Sequence, residues 1–190
     1  SGGGVIYSQA TAELAAFVER HNLPVAETIA GRGALTWDHP CNIGPIGSVA
    51  SSSGNAMAAE ADCVFAVGTR LQDFTTGSWS VFGNPEVRIV SLNAARFDAV
   101  KHRAISVIGD AQVGLTELDA ALGDWQAPAS WCEKATKEVA KWNAYIDQVT
   151  GPTNQSPPSY GHVVGAINRA ADPSDRVLTA AGGLVAEVLK

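Results

Sequence analysis

The segment CVFAVGTRLQDFTTG at residues 63–77 decides the fold class of this chain. Residues 63–68 are an apolar run bounded by Asp62 and a glycine, which is the pattern of a strand buried on both faces. Such strands belong to parallel sheets covered by helices, and ligands of open α/β sheets bind beyond the carboxyl ends of the strands. Arg70 follows this strand, so its side chain is expected at the place where a cation would contact an anionic ligand such as a phosphate. A pairing of Arg70 with Asp73 or with a helix end is the simpler interpretation of this segment alone.

The composition indicates a globular protein of the cytoplasm. Among the 190 residues, 46% are hydrophobic and 17% are charged, which excludes a disordered chain. The net charge of −6 and the lack of any Lys/Arg cluster argue against a nucleic-acid partner. No apolar run is long enough to span a bilayer, and no signal-peptide pattern opens the chain. The cysteines Cys41, Cys63 and Cys132 have no CxxC spacing, which favours a reducing compartment and packing roles.

Strands and helices alternate along residues 1–123. Apolar runs predict further strands at residues 24–28, 87–92 and 104–108. Helical spacing predicts helices at residues 8–22, 51–61 and 111–122, and the composition of residues 29–47 predicts a long loop. This alternation predicts an α/β fold in which helices cover both faces of a parallel sheet, a three-layer, Rossmann-like arrangement.

A glycine run, Gly2, Gly3 and Gly4, opens onto the first helix. Backbone N–H groups point outward at such a place and suit an anion, although a flexible terminus has the same composition. A doubly wound domain needs a strand before its first glycine turn, so we expect one ahead of Ser1. Without that strand the sheet has a gap near its middle, where unpaired backbone groups are costly. We therefore expect a neighbouring chain or a rearranged terminus to cover the gap.

Polar residues at the ends of predicted elements are the remaining candidates for a site. Asn93 ends a strand where dinucleotide folds commonly carry a carboxylate that binds a ribose hydroxyl; a turn amide is the structural alternative. Asp110 is suited to be the N-cap of helix 111–122, with a ligand bond as an addition. His39 has no second residue at metal-ligand spacing and is interpreted as a turn residue, and Trp37 beside it as a packing anchor.

The rest of the chain predicts a linker and the opening of a second domain. Residues 131–149 predict a helix with a packing face of Trp131, Ala135, Val139, Trp142 and Ile146, and residues 150–158 have the composition of a domain boundary. Beyond it we expect a helix at 160–171, a strand at 176–180, a turn at 181–183 and a helix from 184 to 190.

These motifs together resemble the thiamine-diphosphate enzymes of the acetolactate synthase and pyruvate oxidase group. The matching pieces are GGG before a helix, AGRGAL with WDHP, GTRLQDFTTG, the strand that ends at Asn93, and GDAQVGLTEL. The resemblance is to the central domain of three-domain enzymes, followed from Ser156 by the start of the diphosphate-binding domain. Within that group, the resemblance is strongest to the hydrolases that open a cyclic dione in inositol catabolism, because of the segments GTRLQDFTTGSW and AAGGL.

The resemblance implies a central domain at 1–123, a connecting helix and linker at 124–158, and a truncated start of the third domain at 159–190. It implies thiamine diphosphate and magnesium as cofactors of the full-length enzyme, a small-molecule substrate and a homo-oligomer. Of the residues present, only Gly182 and Gly183 are expected to approach the diphosphate, through backbone N–H groups. The catalytic residues lie in parts this chain lacks, so the 190 residues alone are expected to be inactive.

Three other interpretations stay open. The central domain of relatives such as acetolactate synthase binds FAD or ADP, although Asn93 in place of the usual aspartate argues against tight flavin binding here. The lining of that cleft would be Gly3, Gly4, Thr69, Arg70, Asn93 and Asp110. A second possibility is a module that only links the two catalytic domains. An NAD enzyme of the sirtuin type ranks last, because the chain lacks a zinc-ligand set of cysteines.

Overall fold

The computed structural model of the protein describes residues 1–172, 174–178 and 182–188. Its strands are β1 Val25–Glu27, β2 Asn42–Pro45, β3 Cys63–Val67, β4 Arg88–Asn93 and β5 Ile105–Ile108. Its α-helices are α1 Gly3–Tyr7, α2 Thr11–His21, α3 Ser52–Glu60, α4 Asp73–Thr76, α5 Arg96–Ala99, α6 Ala111–Leu122, α7 Ala129–Thr150, α8 Tyr160–Ala170 and α9 Gly183–Val188. Short 3₁₀ turns lie at Ile29–Gly31 and Lys101–Arg103.

The described strands form two parallel sheets with a gap between them. One sheet pairs β1 with β2, and the other has the order β3-β4-β5. Ser1 and Gly2 bridge the gap at its carboxyl end. The Ser1 α-amino group donates to the Ala26 carbonyl (2.7 Å), the Thr28 N–H to the Ser1 carbonyl (2.9 Å), and the Gly2 N–H to the Val67 carbonyl (2.9 Å). The separation of the two sheets agrees with the predicted gap.

Helices cover both faces of β1, which confirms the three-layer α/β prediction. Successive side chains of a strand point to opposite faces. Val25 belongs to a core with Leu14 and Phe17 of α2, whereas Ala26 packs against the cluster that contains Met57 of α3. The core with α2 continues under the second sheet through Phe65, Val67 and Leu92, where α6 adds Ala111 and Leu115.

Two details of the predicted strands need correction. The prediction that the central strand is buried on both faces is wrong at its amino end: Cys63 is exposed, and only Ala66 and Val67 are buried. The long loop predicted at residues 29–47 contains β2, because Asn42 and Pro45 pair with β1 and Ile43 is buried between α3 and α7. The sequence does not predict this strand because it contains Gly44 and Pro45, and both residue types are rare in strands.

The linker helix α7 packs on the first sheet. Trp131, Ala135 and Val139 join Ile43 and Met57 in one apolar cluster, which confirms the first three residues of the predicted packing face; Trp142 and Ile146 are not members of this cluster. Helix α8 packs on α7 and α9 on α8.

The C-terminal predictions are met in part. Residues 176–178 have no regular structure, so the strand predicted at 176–180 is wrong for those residues, and 179 and 180 lie outside the described ranges. The last helix begins at Gly183, one residue before the prediction. Ala181 of the predicted turn and residues 189 and 190 of the predicted helix are also outside the described ranges.

Candidate functional site

The carboxyl ends of β3, β4 and β5 meet at one edge, which we call the carboxyl edge. Thr69, Asn93 and Asp110 follow or end these strands, so topology alone brings them to the same edge. The Asn93 Nδ2 donates to the Thr69 carbonyl (2.9 Å), and the Asn93 Oδ1 accepts from the Ala95 N–H (2.9 Å). The Thr69 hydroxyl in turn accepts from the Leu71 N–H (3.2 Å). Asn93 is thus a turn amide that ties the end of β4 to the turn after β3.

The glycine run lies against that turn. The Gly4 N–H donates to the Gly68 carbonyl (2.9 Å). A Cβ on Gly4 would lie 2.6 Å from the Gly68 Cα, and Gly68 has a φ of +61°. On the other side, a Cβ on Gly3 would lie 3.0 Å from the Ala30 carbonyl oxygen. The run therefore serves close packing of backbone on backbone, and the N–H of Gly4 is occupied inside the protein.

Two cations, the exposed Arg70 and the half-buried Lys101, reach the carboxyl edge. The Arg70 guanidinium donates to the Oε1 of Gln72 (3.2 Å), the N-cap residue of α4, so of the two pairings in the simpler interpretation the structure shows the helix end and not Asp73. The Lys101 Nζ lies 3.4 Å from the Arg70 carbonyl and 2.6 Å from an Asp98 oxygen. Sequence reasoning missed Lys101, because only the path of the chain between β4 and β5 brings it beside a residue so distant in sequence.

Asp110 is the N-cap of α6, as predicted. Its Oδ1 accepts from the N–H groups of Gln112 (2.8 Å) and Val113 (3.3 Å). A hydrogen bond from the Ser8 side chain is the largest cause that lowers the pKa of Asp110 below its usual value, and the backbone donors act in the same direction. The carboxylate therefore links the start of α6 to the end of α1 and stays charged at neutral pH.

Gly182 and Gly183 lie at the start of α9, at the far end of the chain. A Cβ on Gly182 would meet nothing within 4 Å, whereas one on Gly183 would lie 3.0 Å from the Tyr160 ring. Both glycines are exposed.

The described residues do not fit a magnesium site. Within residues 1–172, 174–178 and 182–188, no three His, Cys, Asp or Glu side chains come together as metal ligands. His39 is the histidine that the sequence analysis considered as a metal ligand. Its Nδ1 accepts from the Cys41 N–H (3.1 Å), and its Nε2 lies 3.1 Å from a Glu19 oxygen. This confirms it as a turn residue. Trp37 beside it is 88% exposed, so its prediction as a packing anchor is wrong.

Nor do these residues enclose a diphosphate. At the start of α9 the two glycines offer only solvent-exposed backbone, and α9 is a short helix with a weak dipole. In the part of the chain that the structure describes, no helix is both long and apolar enough to cross a membrane.

Comparison with known proteins gives consistent results. A family model described as thiamine pyrophosphate enzyme, central domain, matches residues 1–118. The 3D-(3,5/4)-trihydroxycyclohexane-1,2-dione hydrolase of Clostridium perfringens is 40% identical over 149 residues, which cover 78% of this chain and 23% of the relative. The protein of the same name from Geobacillus thermodenitrificans is 33% identical over 204 residues, covering 96% of this chain and 32% of the relative.

A third relative, 3D-(3,5/4)-trihydroxycyclohexane-1,2-dione hydrolase 1 of Bacillus cereus, is 36% identical over 183 residues. The match covers 94% of this chain and 28% of that relative, so the chain spans about a third or less of the curated relatives it matches. The motifs GGG, GTRLQDFTTG and GDAQVGLTEL all lie within the residues that the family model matches. The chain therefore belongs to the thiamine pyrophosphate enzyme family, and residues 1–118 are its central domain.

Proposed function

We propose that this chain is the central part of a thiamine-diphosphate-dependent hydrolase that opens a cyclic dione in inositol catabolism. The observation that carries the proposal is the identity of 33–40% to relatives that bear the name of such a hydrolase. The substrate is accordingly a small molecule, a polyhydroxylated ring with two adjacent carbonyl groups. We extend the proposal to a cytoplasmic homo-oligomer, without nucleic-acid or membrane partners, in line with the net charge of −6.

Within that enzyme, we propose that residues 1–123 position the other domains and take no part in bond breaking. The polar groups at the carboxyl edge support this role. The Asn93 side chain and the Thr69 carbonyl bond to each other, and the N–H of Gly4 bonds to Gly68. Residues 124–158 act as the connection, and 159–190 begin the diphosphate-binding domain.

Thiamine diphosphate and magnesium are proposed for the full-length enzyme only. The cofactor supplies the carbanion chemistry that breaks the carbon–carbon bond. In this chain the backbone N–H groups of Gly182 and Gly183 are the proposed contribution to the diphosphate. Because the described residues offer neither a metal-ligand group nor an enclosed anion site, we assign no catalytic step to them.

A direct test uses the full-length protein and the chain side by side. Full-length protein with thiamine diphosphate and magnesium is expected to convert 3D-(3,5/4)-trihydroxycyclohexane-1,2-dione to a ring-opened acid. The reaction is monitored by the release of protons, and the product is identified by mass spectrometry. The 190-residue chain is expected to be inactive in the same assay. Full-length protein that leaves the dione intact but condenses 2-oxo acids would replace the hydrolase proposal with a carboligase.

A nucleotide-binding central domain, with FAD or ADP as in acetolactate synthase relatives, is the second candidate. The two cations at the carboxyl edge, the exposed Arg70 and the half-buried Lys101, are the observation that favours it. Gly3, Gly4, Asn93 and Asp110 would complete the cleft. We expect purified chain to be colourless, and any calorimetric heat with FAD, ADP or thiamine diphosphate plus magnesium to be unchanged by Arg70→Ala, because Arg70 lies at the carboxyl edge. Yellow protein, or ADP binding that Arg70→Ala abolishes, would favour the second candidate.

A further inference from the structure

A cavity of about 930 Å³ opens at the end of the second sheet that lies opposite the carboxyl edge. Arg88 and Ile105 begin β4 and β5, and both line the cavity, as do residues 83–85 before β4. In a parallel sheet the amino ends of the strands share one edge, so Arg88 and Ile105 line the cavity from the edge opposite Asn93 and Asp110, and His102 lines it from the connection between β4 and β5. We call it the amino-edge pocket.

The charged side chains that line the amino-edge pocket are all basic. They are Arg88 and Arg103; His102 also lines the pocket, and no Asp or Glu does. Neither arginine is in an ion pair within the described residues. Glu86 is the acidic residue nearest to Arg88 in sequence, and Asp62 is beside it in space, since the Arg88 N–H donates to the Asp62 carbonyl (2.9 Å); neither lines the cavity. In a chain with a net charge of −6, such a concentration of unpaired cations favours an anionic ligand.

Aromatic rings form an ordered wall beside these cations. The rings of Trp79 and His102 are stacked with centroids 4.4 Å apart, and the Trp79 and Phe82 rings meet edge to face at 5.0 Å. His102 Nε2 lies 3.1 Å from the Leu71 carbonyl, so this nitrogen carries a hydrogen and the ring orientation is set. A pocket with an apolar wall and a few polar groups is the usual form of a small-molecule site.

Backbone strain is concentrated at the same place. Trp79, His102 and Arg103 have φ values of 75°, 57° and 56°, in the left-handed region that costs energy for residues with a side chain. Leu71, the hydrogen-bond partner of His102, has a φ of 45°. Strained residues persist where the surrounding structure holds them, and they cluster at ligand sites. This observation is independent of the charge of the pocket.

We propose that the amino-edge pocket binds a small organic anion, a carboxylate or phosphate ester carried on a ring. Arg88 and Arg103 contact the anionic group, and Trp79 and Phe82 contact the ring. Guanidinium groups suit both carboxylate and phosphate, so the shared chemistry is an oxyanion. Thr69, Asn93 and Asp110 of the carboxyl edge do not line the pocket, so this ligand contacts a different set of residues.

Calorimetric titration of the 190-residue chain with phenyl phosphate, benzoate and benzylamine tests the proposal. We expect phenyl phosphate or benzoate to bind and benzylamine, which carries the opposite charge, not to bind. The relative affinity of the two anions distinguishes a phosphate site from a carboxylate site. Arg103→Gln and Arg88→Gln are each expected to weaken anion binding about tenfold, because each removes a charge-assisted hydrogen bond.

Arg96→Gln, which removes an exposed arginine outside the pocket, is the matched control and is expected to leave the affinity unchanged. Circular dichroism checks that each variant is folded, and Arg103→Lys, which keeps the charge, is expected to retain part of the binding. Absence of binding for both anions at millimolar concentration would overturn the proposal. So would equal affinity of the wild-type chain and both pocket variants, or binding of benzylamine as tight as that of benzoate.

Discussion

The Asn93 side-chain amide donates a hydrogen bond of 2.9 Å to the Thr69 carbonyl and so joins the ends of two adjacent parallel strands. An aspartate at this position would place a carboxylate oxygen against that carbonyl, and two acceptors repel each other. We expect Asn93→Asp to lower the free energy of unfolding by about 1–3 kcal/mol at neutral pH, measured by urea denaturation.

The exposed Asn143 on α7 supplies the matched control, since Asn143→Asp makes the same chemical change away from the sheet. That variant is expected to differ from the wild-type chain by less than about 0.5 kcal/mol. Equal stability of the two variants would show that the Asn93 bond contributes nothing to the fold. Tight FAD or ADP binding by Asn93→Asp would instead restore a nucleotide role for this position.

Gly4 and Gly68 approach so closely that neither position has room for a side chain. A Cβ on Gly68 would lie 2.6 Å from the Gly4 Cα, and the φ of +61° at Gly68 adds strain for any other residue. We expect Gly68→Ala to lower the free energy of unfolding by roughly 2–4 kcal/mol, measured by chemical denaturation. Gly109→Ala is the control, because its nearest neighbour is a Leu92 methyl at 4.0 Å and its φ is not positive. Similar losses in both variants would rule out the packing explanation.

The sequence predicts most of the fold because strands β3 and β4 are apolar runs and α6 has a clear N-cap. The runs 63–68 and 87–92 overlap the observed Cys63–Val67 and Arg88–Asn93 closely, and Asp110 caps its helix as expected. Local composition is enough in these cases, since burial and capping act within a few residues.

The parts that sequence reasoning missed depend on contacts between distant segments. The strand Asn42–Pro45 forms because β1 offers it a partner, and its own composition opposes strand formation. Lys101 reaches the Arg70 carbonyl, and His102 stacks on Trp79, only through the path of the chain between β4 and β5. No spacing rule connects such pairs, so neither the second cation of the carboxyl edge nor the amino-edge pocket is predictable from the sequence alone.

When the 190-residue chain is prepared with a free amine at Ser1, that amine bonds to the Ala26 carbonyl (2.7 Å), and desolvation lowers its pKa from 8.0 to about 6, while the charge of Glu27 acts in the opposite direction. Between pH 6 and 8 the unfolded chain keeps this proton and the folded chain has lost it. Stability of the chain that begins at Ser1 is therefore expected to rise with pH across this window, by about 2–3 kcal/mol.

A nuclear magnetic resonance titration of chain labelled with ¹⁵N at the Ser1 amine measures this group directly, apart from the four histidines that titrate in a similar range. A midpoint near 6 is the expected result. A midpoint near 8.0, the value of an exposed amine, would mean that the group is solvated and that Ser1 does not bridge the two sheets as described.

His21 connects three segments from a fully buried position. Its Nδ1 lies 2.6 Å from the Trp125 carbonyl, and its Nε2 lies 2.9 Å from an Asp119 oxygen. Both ring nitrogens thus face oxygen atoms of other segments, which fix the orientation of the ring. Arg20 pairs with the second Asp119 oxygen (3.0 Å). The end of α2 is in this way joined to α6 and to the linker that leads into α7.

Removal of the carboxylate leaves a buried ring nitrogen without its partner. We expect Asp119→Ala to lower the free energy of unfolding by roughly 1–3 kcal/mol, and His21→Ala by a similar amount. In the double variant the losses are expected to be less than additive, because each single variant already removes the shared hydrogen bond. Asp147→Ala, at an exposed site on α7, is the control and is expected to be neutral. Strictly additive losses in the denaturation midpoints would show that the two side chains are not coupled, and the linker would then depend on other contacts.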